Sequence, residues 1–172
     1  MDFPGAGMIA GVLGSIALIT LPAIAQSPQM DTLSQTYVMD KTAKFVDAIR
    51  NDGYLNEDML WRFNKQLTAT RNAYQIRITH EHRVIMPVYD EDGNFKDDTK
   101  VIYENTYEED ILKEIYEGDG EYEFCEGDQI SVVVESKNKT VSQKLVGFVT
   151  GRAMDYPAIK VSYGGRIRDD LQ

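Results

Sequence analysis

The sequence predicts an α+β fold, a long N-terminal hydrophobic helix followed by a compact domain of antiparallel sheet with short helices. Three observations predict it. No charged side chain occurs from Phe3 to Met30, apolar residues recur at three- and four-residue steps through Ile49, and the period drops to two after Asn72. The 172 residues suit one folded domain plus an appendage. They divide into a hydrophobic segment over 1–28 and an α+β domain over 29–172.

Gly5 to Ala25 is nearly all apolar or small. As a helix it spans roughly 30 Å, the thickness of a bilayer's hydrocarbon core. The segment is therefore expected to be a membrane anchor, a filament-core helix or a cleaved signal peptide. Gly7, Ala10, Gly11 and Gly14 form two small-xxx-small pairs that let helix backbones approach closely. Pro22 is expected to kink or end the helix near Leu18 to Leu21. Ala23 and Ala25, with Gln26 after them, have the small-x-small form of a cleavage site. Against cleavage, Met1 to Pro4 carries an acid and no base, and no Lys or Arg precedes Lys41.

The remaining elements follow in order. Residues 29–51 read as an amphipathic helix with Leu33, Val38, Phe45, Val46 and Ile49 on its apolar stripe and Gly53 as its stop. A second helix is predicted from Glu57 to about Thr70, capped by Asn56 and stapled by Leu55 on Leu60. Trp61 beside its stripe is expected to pack within the domain. Tyr74 to Val84 alternates as a long half-buried strand ending at Pro87, followed by an acidic turn over 90–94 and a strand near Thr99 to Glu104. Thr106 to Glu109 is a capping-box pattern opening a short acidic helix that stops at Gly118. Strands are predicted over Glu121 to Phe124 and Gln129 to Glu135. A second capping box, Thr140 to Gln143, opens a helix ending at Gly151, and Ile159, Val161 and Tyr163 make a last strand.

Eighteen basic against 28 acidic side chains give a net charge of −10, which argues against nucleic acid as the main partner. The charge is uneven: residues 88–128 alone carry −13, while 41–87 and 129–172 each carry +3. The single cysteine, Cys125, excludes an intrachain disulfide and a cysteine-rich zinc site. Its acidic neighbour Glu126 disfavours a thiolate, so it is expected to be a small strand residue rather than a nucleophile. His80 and His82 share one strand face at a spacing that can bind zinc, but such sites need three or four ligands. No further ligand is placed beside them by the sequence, so pairing with cross-strand neighbours is expected, with no metal and no cofactor. Asp90 to Asn94 lacks the calcium-loop pattern, since Gly93 stands fourth and Val101 holds the twelfth place. Asn138-Lys139-Thr140 is a glycosylation sequon, although the capping role of Thr140 accounts for it. No motif predicts catalysis.

The order of features carries a resemblance. The uncharged N-terminus leads into Phe45-Val46-Asp47-Ala48-Ile49-Arg50, then Asp52-Gly53-Tyr54-Leu55, Leu67-Thr68-Ala69-Thr70 and Tyr74 to His80. Gly127-Asp128-Gln129-Ile130 and a closing Val161-Ser162-Tyr163-Gly164-Gly165 follow, and Leu21-Pro22-Ala23 belongs to the same pattern. The chain resembles pilin-like proteins of Gram-positive tight-adherence (TadE-like) pilus systems, within the type IV pilin-like group. It departs from the group in having no basic leader and no glutamate between Gly5 and Ala25.

The resemblance implies a structural subunit or minor pilus component, with an extracytoplasmic domain over 29–172. Residues 5–25 would sit in the membrane before assembly, and the partners would be further copies or other pilin-like subunits. The rival expectation is a secreted or surface-attached binding module released by cleavage after Ala25.

Overall fold

A computed structural model of the chain describes residues 4–89, 92, 95–140, 143, 144, 147, 151 and 159–168. Helix α1 runs from Pro4 to Asp52 as one element of 49 residues. The expected long apolar helix is not what it provides: among the described residues, no helix is long and apolar enough to cross a membrane. The compact α+β domain is the part of the expected fold that stands. The C-terminal half of α1 is amphipathic, as expected. Val38, Phe45, Val46 and Ile49 are buried there, while Asp40 and Lys44 face solvent.

Of the expected kink or end near Leu18 to Leu21, the end does not occur: the helix continues through Pro22 and Pro28. A proline removes one backbone donor, and the hydrogen bonds of the neighbouring turns carry the helix past it. Gly53 ends α1 as expected. Its φ of 76° is in the left-handed region, and its N–H donates to the Ile49 carbonyl at 2.8 Å.

After a short strand β1 (Tyr54–Asn56), helix α2 (Glu57–Leu67) begins where the Asn56 side chain accepts the Met59 N–H at 3.0 Å. Its stripe of Leu60, Phe63 and Leu67 is buried, and Thr68–Thr70 tightens into a 3-10 turn. The Phe63 ring stacks on Phe45 of α1 with centroids 4.2 Å apart and planes within 2°. Trp61 does not pack in the domain as expected. It is 58% exposed, with the Lys65 ammonium 4.6 Å from its ring centroid. One residue from the stripe turns the helix by about 100°, enough to aim that side chain at water.

Strand β2 (Tyr74–Tyr89) is the spine of a four-stranded antiparallel sheet in the order β3-β2-β5-β6. It pairs along one side with β3 (Phe95–Tyr107) and along the other with β5 (Gln129–Ser136), which pairs in turn with β6 (Lys160–Arg166). Contrary to expectation, Pro87 does not end β2. The strand continues to Tyr89, and the register slips between Pro87 and Val88. Pairing with β5 stops at Glu81, so Pro87 has only one strand beside it and a missing donor is cheap there.

Helix α3 (Glu108–Glu117) starts one residue later than the expected capping box, with Tyr107 at the cap and no side-chain cap bond. Thr106 is still in β3, opposite His80, and its side chain bonds Tyr122 instead. Gly118 follows α3, where an added Cβ would lie 2.5 Å from the Glu114 carbonyl oxygen. Strand β4 (Glu121–Glu123) pairs with β1 in a separate two-stranded sheet. The second capping box does form. The Gln143 N–H donates to Thr140 Oγ1 at 3.3 Å, and the Thr140 N–H to Gln143 Oε1 at 3.2 Å. Residues 143, 144 and 147 are helical, and the acidic turn over 90–94 lies outside the described residues apart from Asp92.

The core sits between the buried faces of α1, α2 and α3 and one face of the four-stranded sheet, where Ile78, Ile130, Val132, Val134 and Val161 are buried. α1 lies against β6, with Arg50 beside Gly165. A Cβ at Gly165 would come within 2.8 Å of the Arg50 guanidinium, and one at Gly164 within 2.6 Å of the Ile130 carbonyl oxygen. Arg50 uses this space, donating from Nε to the Arg166 carbonyl at 2.8 Å, while its own carbonyl accepts the Arg168 N–H at 3.1 Å.

Burial separates two aromatic residues of the same helix. Phe63→Ala is expected to cost about 3–5 kcal/mol of stability, as for a fully buried aromatic. Trp61→Ala is expected to cost no more than about 1 kcal/mol, the scale of an exposed cation–π contact. Urea unfolding of the two variants beside the parent chain checks the difference.

Candidate functional site

The alternation of β2 sends His80 and His82 to one face, as the two-residue period requires. Within the sheet, His80 lies opposite Thr106 on β3 and Ile130 on β5, and His82 lies opposite Glu104. What meets the two rings is neither strand but the turn that leads into β5. Gly127 adopts a φ of 83°, and the Asp128 N–H donates to the Cys125 carbonyl at 3.1 Å. This tight turn delivers the Asp128 carboxylate under β2, where the residue is 1% exposed.

Both imidazoles converge on that carboxylate. His80 Nε2 lies 2.7 Å from Oδ2, and His82 Nδ1 lies 2.9 Å from Oδ1 and 3.1 Å from Oδ2. Two backbone donors complete the set, the Arg83 N–H on Oδ1 at 3.1 Å and the Cys125 N–H on Oδ2 at 2.9 Å. The other nitrogen of His80, Nδ1, is 2.8 Å from the Tyr122 hydroxyl, which is also bonded by the Thr106 side chain. The rings of Tyr122 and Phe124 meet His80 edge-on, with centroids 5.6 and 4.8 Å away.

The electrostatics follow from this packing. Burial opposes ionisation of Asp128, but hydrogen bonds from His82, the Arg83 N–H, His80 and the Cys125 N–H together hold its carboxyl below the usual aspartate value. Burial pushes the Tyr122 phenol up, against the bond from Thr106 and with the carboxylates of Glu114, Asp128 and Asp110 in the same direction. Among the described residues, no buried side-chain nitrogen or oxygen lacks a hydrogen-bond partner. The arrangement can pin β2 to the β4–β5 turn, and its two imidazoles and carboxylate are also of the ligand types that hold a transition metal. The candidate ligand atoms all lie within 4.8 Å of one another.

Asp128 and Tyr122 are the members that sequence reasoning missed. The available signal was Gly127-Asp128 at the head of a strand, which does not reveal a partner 46 or 48 residues earlier. Cys125 is an exposed free thiol in the turn rather than a strand residue, and its backbone serves the site. Asn138 of the sequon accepts the Ala73 N–H at 2.8 Å.

The residues expected to mediate helix packing are separate from this cluster. Gly11 and Gly14 are exposed on α1, and a Cβ added at either would meet nothing within 4 Å. Gly7, Ala10, Pro22, Ala23 and Ala25 are helical positions of α1 whose surroundings fall outside the described residues. Comparison of the chain with protein-family models, with curated proteins and with solved structures finds no match.

The depressed ionisation of Asp128 makes the fold acid-sensitive in a definite sense. Its contribution is present in full above the unfolded-state value near 3.8 and is lost as the pH falls through the lower folded-state value. Asp128→Ala is expected to cost about 3–5 kcal/mol at neutral pH, because the buried donors lose their acceptor. It should also flatten the dependence of stability on pH below 3.8. Chemical unfolding of both proteins across that acid range reads the two effects together.

Proposed function

We propose that this chain is a pilin-like structural subunit or minor component of a surface filament, with the N-terminal part of α1 packed among neighbouring helices and the α+β domain facing outward. One observation carries the reading, the two unlike halves of α1. From Val38 to Ile49 the helix is sunk into the domain. Ahead of that, Gly11, Gly14, Ser15, Leu18 and Gln29 are exposed, Leu18 at 77%. Leu33 is likewise 71% exposed.

A helix gains most of its stability from packing rather than propensity, so an uncharged stretch over 4–30 calls for partners beyond its own domain. Open space around Gly11 and Gly14 supports helix–helix contact at close range. The order of features shared with the TadE-like group supports the same reading. Charge adds a second contact, because the −13 region over 88–128 can face the +3 blocks of an adjacent subunit. Attraction of this kind between exposed charges weakens as salt rises.

Gly11→Leu is expected to reduce polymer yield sharply while leaving the domain folded, and raised ionic strength is expected to shorten the polymers. Electron microscopy of native surface material and of the purified variant measures both. Mass spectrometry of the mature N-terminus discriminates the rival binding module. A start at Gln26 removes the helical segment and overturns the filament proposal, as does indifference of the polymer to both perturbations.

A further inference from the structure

We propose that His80 Nε2, His82 Nδ1 and the Asp128 carboxylate form a mononuclear binding site for a divalent cation of the zinc class, with a remaining coordination position toward the half-exposed side of His82. Two nitrogens and one oxygen suit zinc and its transition-metal neighbours better than magnesium or calcium, which take oxygen sets. Three protein ligands and one open position form the arrangement in which zinc also holds a water or an exogenous ligand.

The histidine–carboxylate distances fit with small adjustment, and with all candidate ligand atoms within 4.8 Å of one another the two histidine nitrogens close by up to about 1.5 Å around the ion. Donors around a tetrahedral zinc with bonds near 2.0–2.1 Å stand about 3.3 Å apart. Here the closest His80–Asp128 and His82–Asp128 atoms are 2.7 and 2.9 Å apart. Each pair therefore needs to part by roughly half an ångström to admit the ion.

The protons also have somewhere to go. A neutral His80 binds metal through Nε2 when its proton moves to Nδ1, which then donates to the Tyr122 oxygen 2.8 Å away. Tyr122 can accept because its own hydroxyl hydrogen can turn to Thr106, its other hydrogen-bond partner. His82 frees Nδ1 by carrying its proton on Nε2, and its 38% exposed side chain lets water receive that N–H. The exchange leaves two neutral rings neutral, and an imidazolium would release one proton. The Arg83 and Cys125 N–H groups each hold one oxygen of Asp128, fixing the carboxylate while a lone pair of one oxygen turns to the metal.

A hydrogen-bond clamp without metal makes the opposite predictions. The full chain is equilibrated with zinc, passed through a desalting column and assayed for bound metal, with cobalt as a spectroscopic substitute. About one zinc per chain, intense visible cobalt absorption of tetrahedral type and a zinc-induced rise in Tm are expected. His82→Gln, whose amide N–H can still donate to the Asp128 carboxylate from a 38% exposed position, should remain folded by circular dichroism and lose all three signals. Tyr122→Phe should bind about 10- to 100-fold more weakly, the scale of a lost outer hydrogen bond. Absence of retained zinc in the parent chain overturns the site, as does equal retention by folded His82→Gln, which would assign the metal to surface carboxylates. Unchanged affinity in Tyr122→Phe overturns the proton route through the tyrosine.

Discussion

A carboxylate taken out of water is tolerated only when opposite charge or several donors surround it, and Asp128 is almost wholly buried. Meeting that requirement brings distant parts of the chain together. His80 and His82 come from the middle of β2, Arg83 offers its backbone one residue later, and Cys125 closes the turn from the other side. The register of β5 against β2 follows from the same point, since Glu81 pairs with Gln129, the residue after Asp128. Through Tyr122 the network reaches β4, and through β4 the small sheet with β1. One satisfied charge thereby joins the two sheets of the domain.

The apolar half of the architecture has its own constraint. α1 comes close enough to β6 for Arg50 to reach the Arg166 carbonyl beside Gly165, while Gly164 lets β6 lie close to the Ile130 carbonyl of β5. On its other flank the helix meets α2 through the stacked Phe45 and Phe63. These contacts seat the end of α1 in the domain.

Elements specified by neighbouring residues are legible in the sequence. Asn56 caps α2, Thr140 and Gln143 cap each other, Gly53 ends α1, and the two-residue alternation places His80 and His82 together. The same local reasoning fails wherever a distant group competes. Thr106 looks like a cap, yet it remains in β3 with its side chain on Tyr122. Pro87 looks like a strand end, yet the strand runs on because a single neighbouring strand pairs there. Trp61 looks like core, yet its step around α2 faces solvent.

By itself the sequence determined the α+β class of the domain, the acidic imbalance, the helix stops and caps, and an uncharged N-terminal stretch, because each depends on composition or on residues within one or two turns of each other. Tertiary structure decided that Asp128 meets both histidines beneath β2 and that Arg50 of α1 reaches the Arg166 carbonyl of β6. Those outcomes depend on contacts between residues dozens of positions apart. Local spacing does not encode such contacts until the strands have found their register.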